Sequence, residues 1–392
     1  MATLIDYIKA NSHRDFHSLP LNELDIAAIN EIGYLSFDDL VEEPVDASGV
    51  FDLSKMLVND KDDTKASVYN FLITKERVAL FCAIRDSKRF NDLSLSYYVN
   101  EVDPEFEKQF AAMVFTIPEI NHTQMVFRGT DDSLIGWKED FKLTYMKEVA
   151  ANRSALSYLN AYLMNHPNKE LVLSGHSKGG HLALYAAAFL ASDLQEQLTV
   201  IYLLDSPGLA EEFLQREGYR AIRKRLRVIR PQESVVGVML YCDVKPRIVK
   251  SASFGLLQHK TCNWQVSLDG QFEQATQASH LSKTLELVFK DWTKQLSKRD
   301  LKLVCDSLFD ALISSGITSL NAFTLNDKAF VTFFQIIGSL HSLDQSKKSI
   351  IMKSVQQLII DYTGYRKREV TEKIQLTLSK YLKKTKAKSK GE

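Results

Sequence analysis

The chain reads as an α/β protein, with a mostly parallel sheet covered by helices on both faces and an all-helical region at its C-terminal end. Three observations lead there. Short apolar runs of strand length alternate with helix-forming stretches between about residues 92 and 229, the order that gives parallel strands joined by crossover helices. One such run, Leu171-Val172-Leu173-Ser174, ends in Gly175-His176-Ser177-Lys178-Gly179 and passes directly into the alanine-rich stretch Gly180 to Ala188, so that strand, sharp turn and helix follow without a gap. Beyond about residue 281 the strand-like runs stop and only helical periodicity remains.

In chain order, Leu21 to Leu35 carries apolar residues at helical spacing and predicts a covering helix that breaks near Gly33. Met56 to Lys75 is charged at its centre, at Asp60, Lys61, Asp62 and Asp63, and predicts a loop feeding another helix. Val78 to Ile84 is continuously apolar, with β-branched and aromatic content, and predicts a strand. Further strands are expected at Leu95 to Tyr98, Ala112 to Ile117 and Gln124 to Phe127, with a turn at Asn121-His122 between the last two. A helix over Ser154 to His166 leads to the strand at 171–174, a helix over Gly180 to Leu190 follows it, and strands come next at Val200 to Leu204 and Leu226 to Ile229.

The helices expected afterwards are Leu281 to Leu296, Asp300 to Ser314, Asp327 to Leu340, Lys348 to Tyr362 and Glu369 to Tyr381. Residues 1–280 therefore form the α/β unit with its N-terminal covering helices, 281–381 a helical region, and 382–392 a basic, disordered tail. The run from Lys380 to Lys390 carries Lys380, Lys383, Lys384, Lys386, Lys388 and Lys390 with almost no apolar company. Such a run offers an anionic membrane surface a weak, salt-sensitive contact.

Composition is that of an ordinary globular protein, 45% hydrophobic and 25% charged over 392 residues. Lysine plus arginine equals aspartate plus glutamate at 49 each, so no global field favours nucleic acid, and none is expected as a partner. The first ten residues carry charge and lack the apolar core of an export signal. Cys82, Cys242, Cys262 and Cys305 are scattered, with no zinc-binding spacing. The expectation is a cytoplasmic protein that needs neither metal nor cofactor.

Gly175-His176-Ser177-Lys178-Gly179 is the spacing of a nucleophile elbow, in which the serine is held in a strained turn at the end of a buried strand. The glycines are required because a Cβ there would strike the neighbouring strand or helix. The alternative is a bare strand-to-helix turn that binds phosphate or nothing. A serine nucleophile needs a histidine to take its proton and an acid to orient that histidine. Of the downstream histidines, His259 follows Phe254-Gly255-Leu256-Leu257-Gln258 as a loop tip and is preferred to His280, which opens a helix, and to His341 in the helical region. His176 and His181 flank the serine and are read as structural.

Two acids each stand just after a predicted strand. Asp205 lies in Leu204-Asp205-Ser206-Pro207-Gly208 and Glu233 in Pro231-Gln232-Glu233-Ser234, and the sequence leaves both open, with Ser234 as a neutral substitute. Asp205 has an equally good structural reading as an Asx-turn or helix cap. Two main-chain donors for a developing oxyanion are expected from Lys178, after the serine, and from Thr130 in the Arg128-Gly129-Thr130 loop. Farther on, Trp137 and Asp140 read as scaffold, Asp140 as a tether for Arg128.

Phe127-Arg128-Gly129-Thr130 with Trp137 and Asp140, and then Gly175-His176-Ser177-Lys178-Gly179-Gly180, resemble the oxyanion-loop and nucleophile motifs of class 3 (fungal-type) lipases. More closely, the chain resembles the Mbeg1-like family of bacterial proteins. That likeness is carried by Asn22 to Leu35, the lysine after the serine, Asp205-Ser206-Pro207-Gly208, Ser234-Val235-Val236-Gly237, and Gln258-His259 with Trp264; it covers about residues 1–280. It implies an α/β-hydrolase fold and a serine mechanism acting on carboxylic esters, and the substrates expected here are acylglycerols or other lipid-like acyl esters. Class 3 lipases usually carry an aspartate in Asp-x-Val-Pro where this chain reads Glu233-Ser234-Val235-Val236. The other expectation is a catalytically inactive hydrolase fold serving as a binding or regulatory module.

Overall fold

In the computed structural model the described residues are 1–38, 51–52, 74–103, 108–130, 142–303, 306, 344–353, 356 and 360. The expected sites at Trp137, Asp140 and His341, most of the Met56 to Lys75 loop, most of the expected helices beyond 303 and the lysine tail lie outside them. In chain order the elements are α1 (Leu4–Ala10), α2 (Glu23–Ile32), β1 (Phe51–Asp52), α3 (Lys75–Arg85), β2 (Ser94–Asp103), β3 (Lys108–Ile117), β4 (His122–Phe127), α4 (Ala150–Asn165), β5 (Leu171–His176), α5 (Lys178–Phe189), β6 (Leu198–Leu204), α6 (Glu217–Ile222), β7 (Leu226–Pro231), β8 (Arg247–Val249) and α7 (His280–Gln295).

The eight strands lie in one sheet in sequence order, β1 to β8. The first four pair antiparallel, β2 to β4 through short connections, and β4 to β8 run parallel, each crossover carrying its own chain segment over a face. Side-chain alternation along each strand sorts the sheet into two cores. Phe110, Ala112, Val114, Met125, Phe127, Leu171, Leu173, Leu203 and Val228 pack under α4, α5 and α6. Their neighbours Met113, Phe115, Ile117, Val126, Leu204 and Ile229 pack on the opposite face, under α1, α2 and α3 and the segment holding Trp264 and Phe272. This is the two-faced, mostly parallel α/β-hydrolase-like architecture that the alternation of strands and helices predicts.

The predicted strand over Val78 to Ile84 is a helix instead, α3. Thr74 caps it, its Oγ1 accepting the Arg77 N–H at 3.2 Å, and Arg77, Val78, Phe81 and Ile84 make a buried stripe at helical spacing. A short apolar run does not distinguish a strand from a buried helix by periodicity alone; the cap decides. The strands β1 and β8, two and three residues long, were not expected. The helix predicted over Leu21 to Leu35 is α2, and it stops at Gly33, where a Cβ would stand 2.8 Å from Val126 Cγ1 on β4. Asn22 caps the start of α2, and the buried pair of Asp25 with Arg89 at 2.6 Å ties the helix to the chain beyond α3. Removing one partner of such a pair costs about 3–5 kcal/mol.

Candidate active site

The Ser177 backbone has φ 58° and ψ −136°, a conformation that costs a non-glycine residue about 1–3 kcal/mol. The residues around it impose that turn. The Ser177 N–H donates to the Leu204 carbonyl at 3.0 Å, which pins the end of β5 to β6. A Cβ on Gly175 would strike the Gly179 backbone, one on Gly179 would strike the Phe127 carbonyl, and one on Gly180 would come 2.5 Å from Ser206 Cβ. Strand, turn and helix thus pack backbone against backbone, as the spacing predicts.

Ser177 leaves β5 beside the point where Asp205 leaves β6, since His176 and Leu204 are register partners. Asp205 is fully buried, and both its oxygens are used. Its Oδ2 lies 2.7 Å from His259 Nδ1; its Oδ1 accepts from the Ser234 hydroxyl and, at 3.2 Å, from the Gly237 N–H. Gly237 makes the approach possible, because a Cβ there would press on that same oxygen. With Nδ1 committed to Asp205, the nitrogen of His259 left for chemistry is Nε2.

Glu233, the other acid candidate, occupies a different place. Its Oε2 accepts the Gly255 N–H and its own N–H donates to Gln258 Oε1 at 2.9 Å. It braces the 3-10 turn Gly255–His259 on which the imidazole stands. The Gln258 carbonyl accepts from Trp264 Nε1 at 2.7 Å, so that turn is held at both ends. His280 opens α7, its Nδ1 3.5 Å from Thr284 Oγ1 in the same helix.

The segment 128–130 follows β4, and Gly129 lies on the elbow, where a Cβ would be 3.2 Å from Ser177 Cβ. Thr130 is buried beside it. Lys178 is the first residue of α5, where backbone N–H groups have no partner within the helix. Gly129, the neighbour of Thr130, thus lies against the serine, and Lys178 follows the serine at the start of α5.

His181 is buried as a structural residue, between Asn152 Nδ2 at 3.0 Å and the Gly208 carbonyl at 2.7 Å; burial pushes its pKa down to about 4. His176 is buried too, and its ring lies against that of His259, with centroids 4.4 Å apart. Sequence reasoning missed this contact, and with it Tyr34, whose hydroxyl is 2.8 Å from His176 Nδ1. The Arg77 guanidinium covers the Tyr34 ring at 3.8 Å and pairs with buried Glu31 at 3.1 Å. Burial is the largest single influence on the Glu31 carboxyl and would raise its pKa, but Arg77, His176 and the Thr261 hydroxyl together outweigh it and hold the carboxyl below its ordinary value. The signal in the sequence was the stretch Asn22 to Leu35, which ends at this residue pair.

The helix α7 also reaches the site. Its Ser282 hydroxyl donates to the Ser234 carbonyl at 2.7 Å, and the Ser279 N–H before it donates to the Gln232 carbonyl at 2.8 Å. Phe289 on the same helix packs on Val238 and Met239. The turn that supplies Ser234 and Gly237 to Asp205 is thus fastened to the start of the helical region.

No curated protein matches the chain in sequence. Among solved structures, the native Rhizomucor miehei lipase propeptide complex aligns at 16% identity with a TM-score of 0.30, over 42% of this chain and 58% of that one. Lip2 lipase from Yarrowia lipolytica aligns at 11% identity with a TM-score of 0.32, over 49% of this chain and 73% of that one. The chain thus spans less than two thirds of the Rhizomucor protein's length. The family model of the Mbeg1-like proteins matches residues 84–310, more than half of the chain and the whole stretch from β2 through α7 that builds the site, and this chain belongs to the Mbeg1-like family.

Proposed function

We propose that this protein is a serine hydrolase of carboxylic esters, of lipase or esterase type, working through an acyl-enzyme. The observation that carries the reading is the buried contact of Asp205 Oδ2 with His259 Nδ1 at 2.7 Å, beside a serine held in the elbow conformation. In this reading His259 Nε2 takes the Ser177 hydroxyl proton as Oγ attacks the ester carbonyl. Asp205 keeps the imidazole in the required tautomer and stabilises the imidazolium. The N–H groups of Thr130 and Lys178 receive the negative charge on the carbonyl oxygen, each such donor contributing about 3 kcal/mol to the transition state. Collapse of the tetrahedral adduct expels the alcohol, which leaves with the proton from His259. Water then adds to the acyl-enzyme by the same route, releasing the carboxylic acid and restoring Ser177. No step calls for a metal or cofactor.

A fluorophosphonate probe tests this directly: wild type is expected to be labelled and Ser177→Ala not. Equal labelling of both, or of neither, removes the proposal. A panel of p-nitrophenyl esters of rising acyl length then separates esterase from lipase preference.

The second reading is an inactive hydrolase fold used as a binding module, since a fold does not fix a function. The buried contact of Asp205 with His259 favours the first reading, and the labelling experiment separates the two. A cytoplasmic setting belongs to the same proposal. It is supported by the scattered cysteines of the sequence, which show no spacing of a disulfide framework, and cell fractionation tests it.

A further inference from the structure

The imidazole of His259 needs more than Asp205 to stay in place. One hydrogen bond at Nδ1 fixes a direction but leaves the ring free to tilt about it, and a tilt of the ring moves Nε2 away from the serine. The structure supplies a second restraint on the same residue. His176 Nε2 lies 2.7 Å from the His259 carbonyl, and the two rings face each other at a centroid distance of 4.4 Å and an angle of 35°.

The partners of His176 define its protonation. A carbonyl only accepts, so Nε2 of His176 must carry a hydrogen. In the neutral ring Nδ1 is then an acceptor, and it faces the Tyr34 hydroxyl at 2.8 Å, a donor. Tyr34 is held by Arg77 above its ring, and its one hydroxyl hydrogen is shared between Nδ1 and the more distant His176 carbonyl at 3.1 Å. The charged and titratable groups facing His176 are His259, Glu31, Arg77 and Asp205, with Tyr34. Burial first, and His259 next, push the His176 pKa down to about 4. The ring is therefore neutral near pH 7. When His259 gains a proton, a neutral ring presents its π face to the new cation, whereas a charged ring would repel it.

We propose that His176 and Tyr34 are positioning residues for His259: Tyr34 holds His176 as the neutral Nε2–H tautomer, and His176 grips the His259 carbonyl and backs its ring. The inference rests on the hydrolase reading for its kinetic consequence, but its structural content stands apart from it.

Three variants of the full chain test it. His176→Phe keeps a flat ring and loses the donor to the His259 carbonyl; His176→Gln keeps a donor at similar reach and loses the ring face; Tyr34→Phe keeps the ring under Arg77 and loses the hydroxyl. The rate of Ser177 labelling by a fluorophosphonate and the hydrolysis of p-nitrophenyl butyrate are followed against pH. A misplaced catalytic group loses roughly a hundredfold in rate. That loss is expected for His176→Phe, in kcat with KM little changed, with a shifted acid limb of the pH profile and partial recovery in His176→Gln. Tyr34→Phe is expected to lose about tenfold by the same cause and carries the test if His176→Phe does not fold.

A readout independent of activity is the low-field proton NMR resonance of His259 Nδ1–H, expected in wild type and broadened or lost in His176→Phe and Tyr34→Phe. Wild-type rates, an unmoved acid limb and an unchanged resonance in folded variants overturn the positioning role while leaving the hydrolase reading intact. An unlabelled wild type overturns the hydrolase reading, and the NMR resonance alone then decides the positioning role.

Discussion

Asp205 Oδ2 and His259 Nδ1 meet at 2.7 Å across 54 residues of sequence, with both side chains buried. Glu233, which stands after the next strand, instead accepts from the Gly255 N–H. The two acids are therefore distinguishable by substitution. Asp205→Asn keeps the shape of the side chain but puts the wrong tautomer on His259, and is expected to cut kcat by about ten-thousandfold. Glu233→Gln keeps an acceptor for Gly255 and is expected to cost about fivefold or less, the difference between a charged and a neutral acceptor. Steady-state ester hydrolysis by the two variants decides; the reverse ranking would assign the acid to Glu233.

Ser177 stores strain. At φ 58° and ψ −136° a side chain crowds the backbone, and glycine is relieved of that crowding. Ser177→Gly is therefore expected to abolish probe labelling and raise stability by about 1 kcal/mol, part of the relief being offset by the greater freedom of glycine in the unfolded chain. Denaturant unfolding measures it, and a lower midpoint than wild type would show that the turn is not strained.

Gly237 is the point at which the acid is most sensitive to a single methyl group. Its N–H donates to Asp205 Oδ1 at 3.2 Å, and a Cβ would press on that oxygen. Gly237→Ala is expected to displace the carboxylate and lower kcat by roughly a hundredfold. Activity and melting temperature measured together check it, and an alanine variant with wild-type kcat would mean that the carboxylate has room to shift.

How much of this was legible in the sequence follows from the range of the interactions. The strands β3 to β7 and the elbow were readable because their apolar runs and glycines are local signals, and because a Cβ at Gly175 or Gly179 meets backbone only a few residues away or on the adjoining strand. The helix α3 was not, since seven apolar residues in a row hide the stripe made by Val78, Phe81 and Ile84. The choice between Asp205 and Glu233 was closed to the sequence because each follows a strand; what separates them is where the turn at 255–259 lands. The Tyr34 to His176 contact spans 142 residues; Tyr34 lies in the stretch Asn22 to Leu35 that carries the resemblance, but nothing near either residue says that the two side chains meet.

The helix α7 is expected to matter to the site through one hydroxyl. Ser282 Oγ donates to the Ser234 carbonyl at 2.7 Å and is buried there, so Ser282→Ala leaves a buried carbonyl without that donor. A stability loss of about 1–3 kcal/mol is expected, together with a fall in kcat, because Ser234 is also the hydroxyl that holds Asp205. Ser282→Thr, which keeps the donor, should recover part of both. If Ser282→Ala loses stability but keeps full kcat, the helix supports the fold without reaching the acid.

The final expectation concerns acid. His176 and His181 are both buried, and burial pushes each from its ordinary 6.5 down to about 4. Between those values the unfolded chain binds protons at these positions that the folded chain does not, so stability falls as pH drops through that window. The contribution is fully present above about pH 6.5 and is lost towards pH 4. At 1.36 kcal/mol per pKa unit, each group accounts for about 3 kcal/mol over the full span. Melting temperature followed from pH 7 to pH 4.5 is expected to fall steadily, and His181→Asn, the less disruptive of the two sites for activity, should flatten the fall. A melting temperature constant across the window would mean that the folded protein takes up these protons as readily as the unfolded chain does.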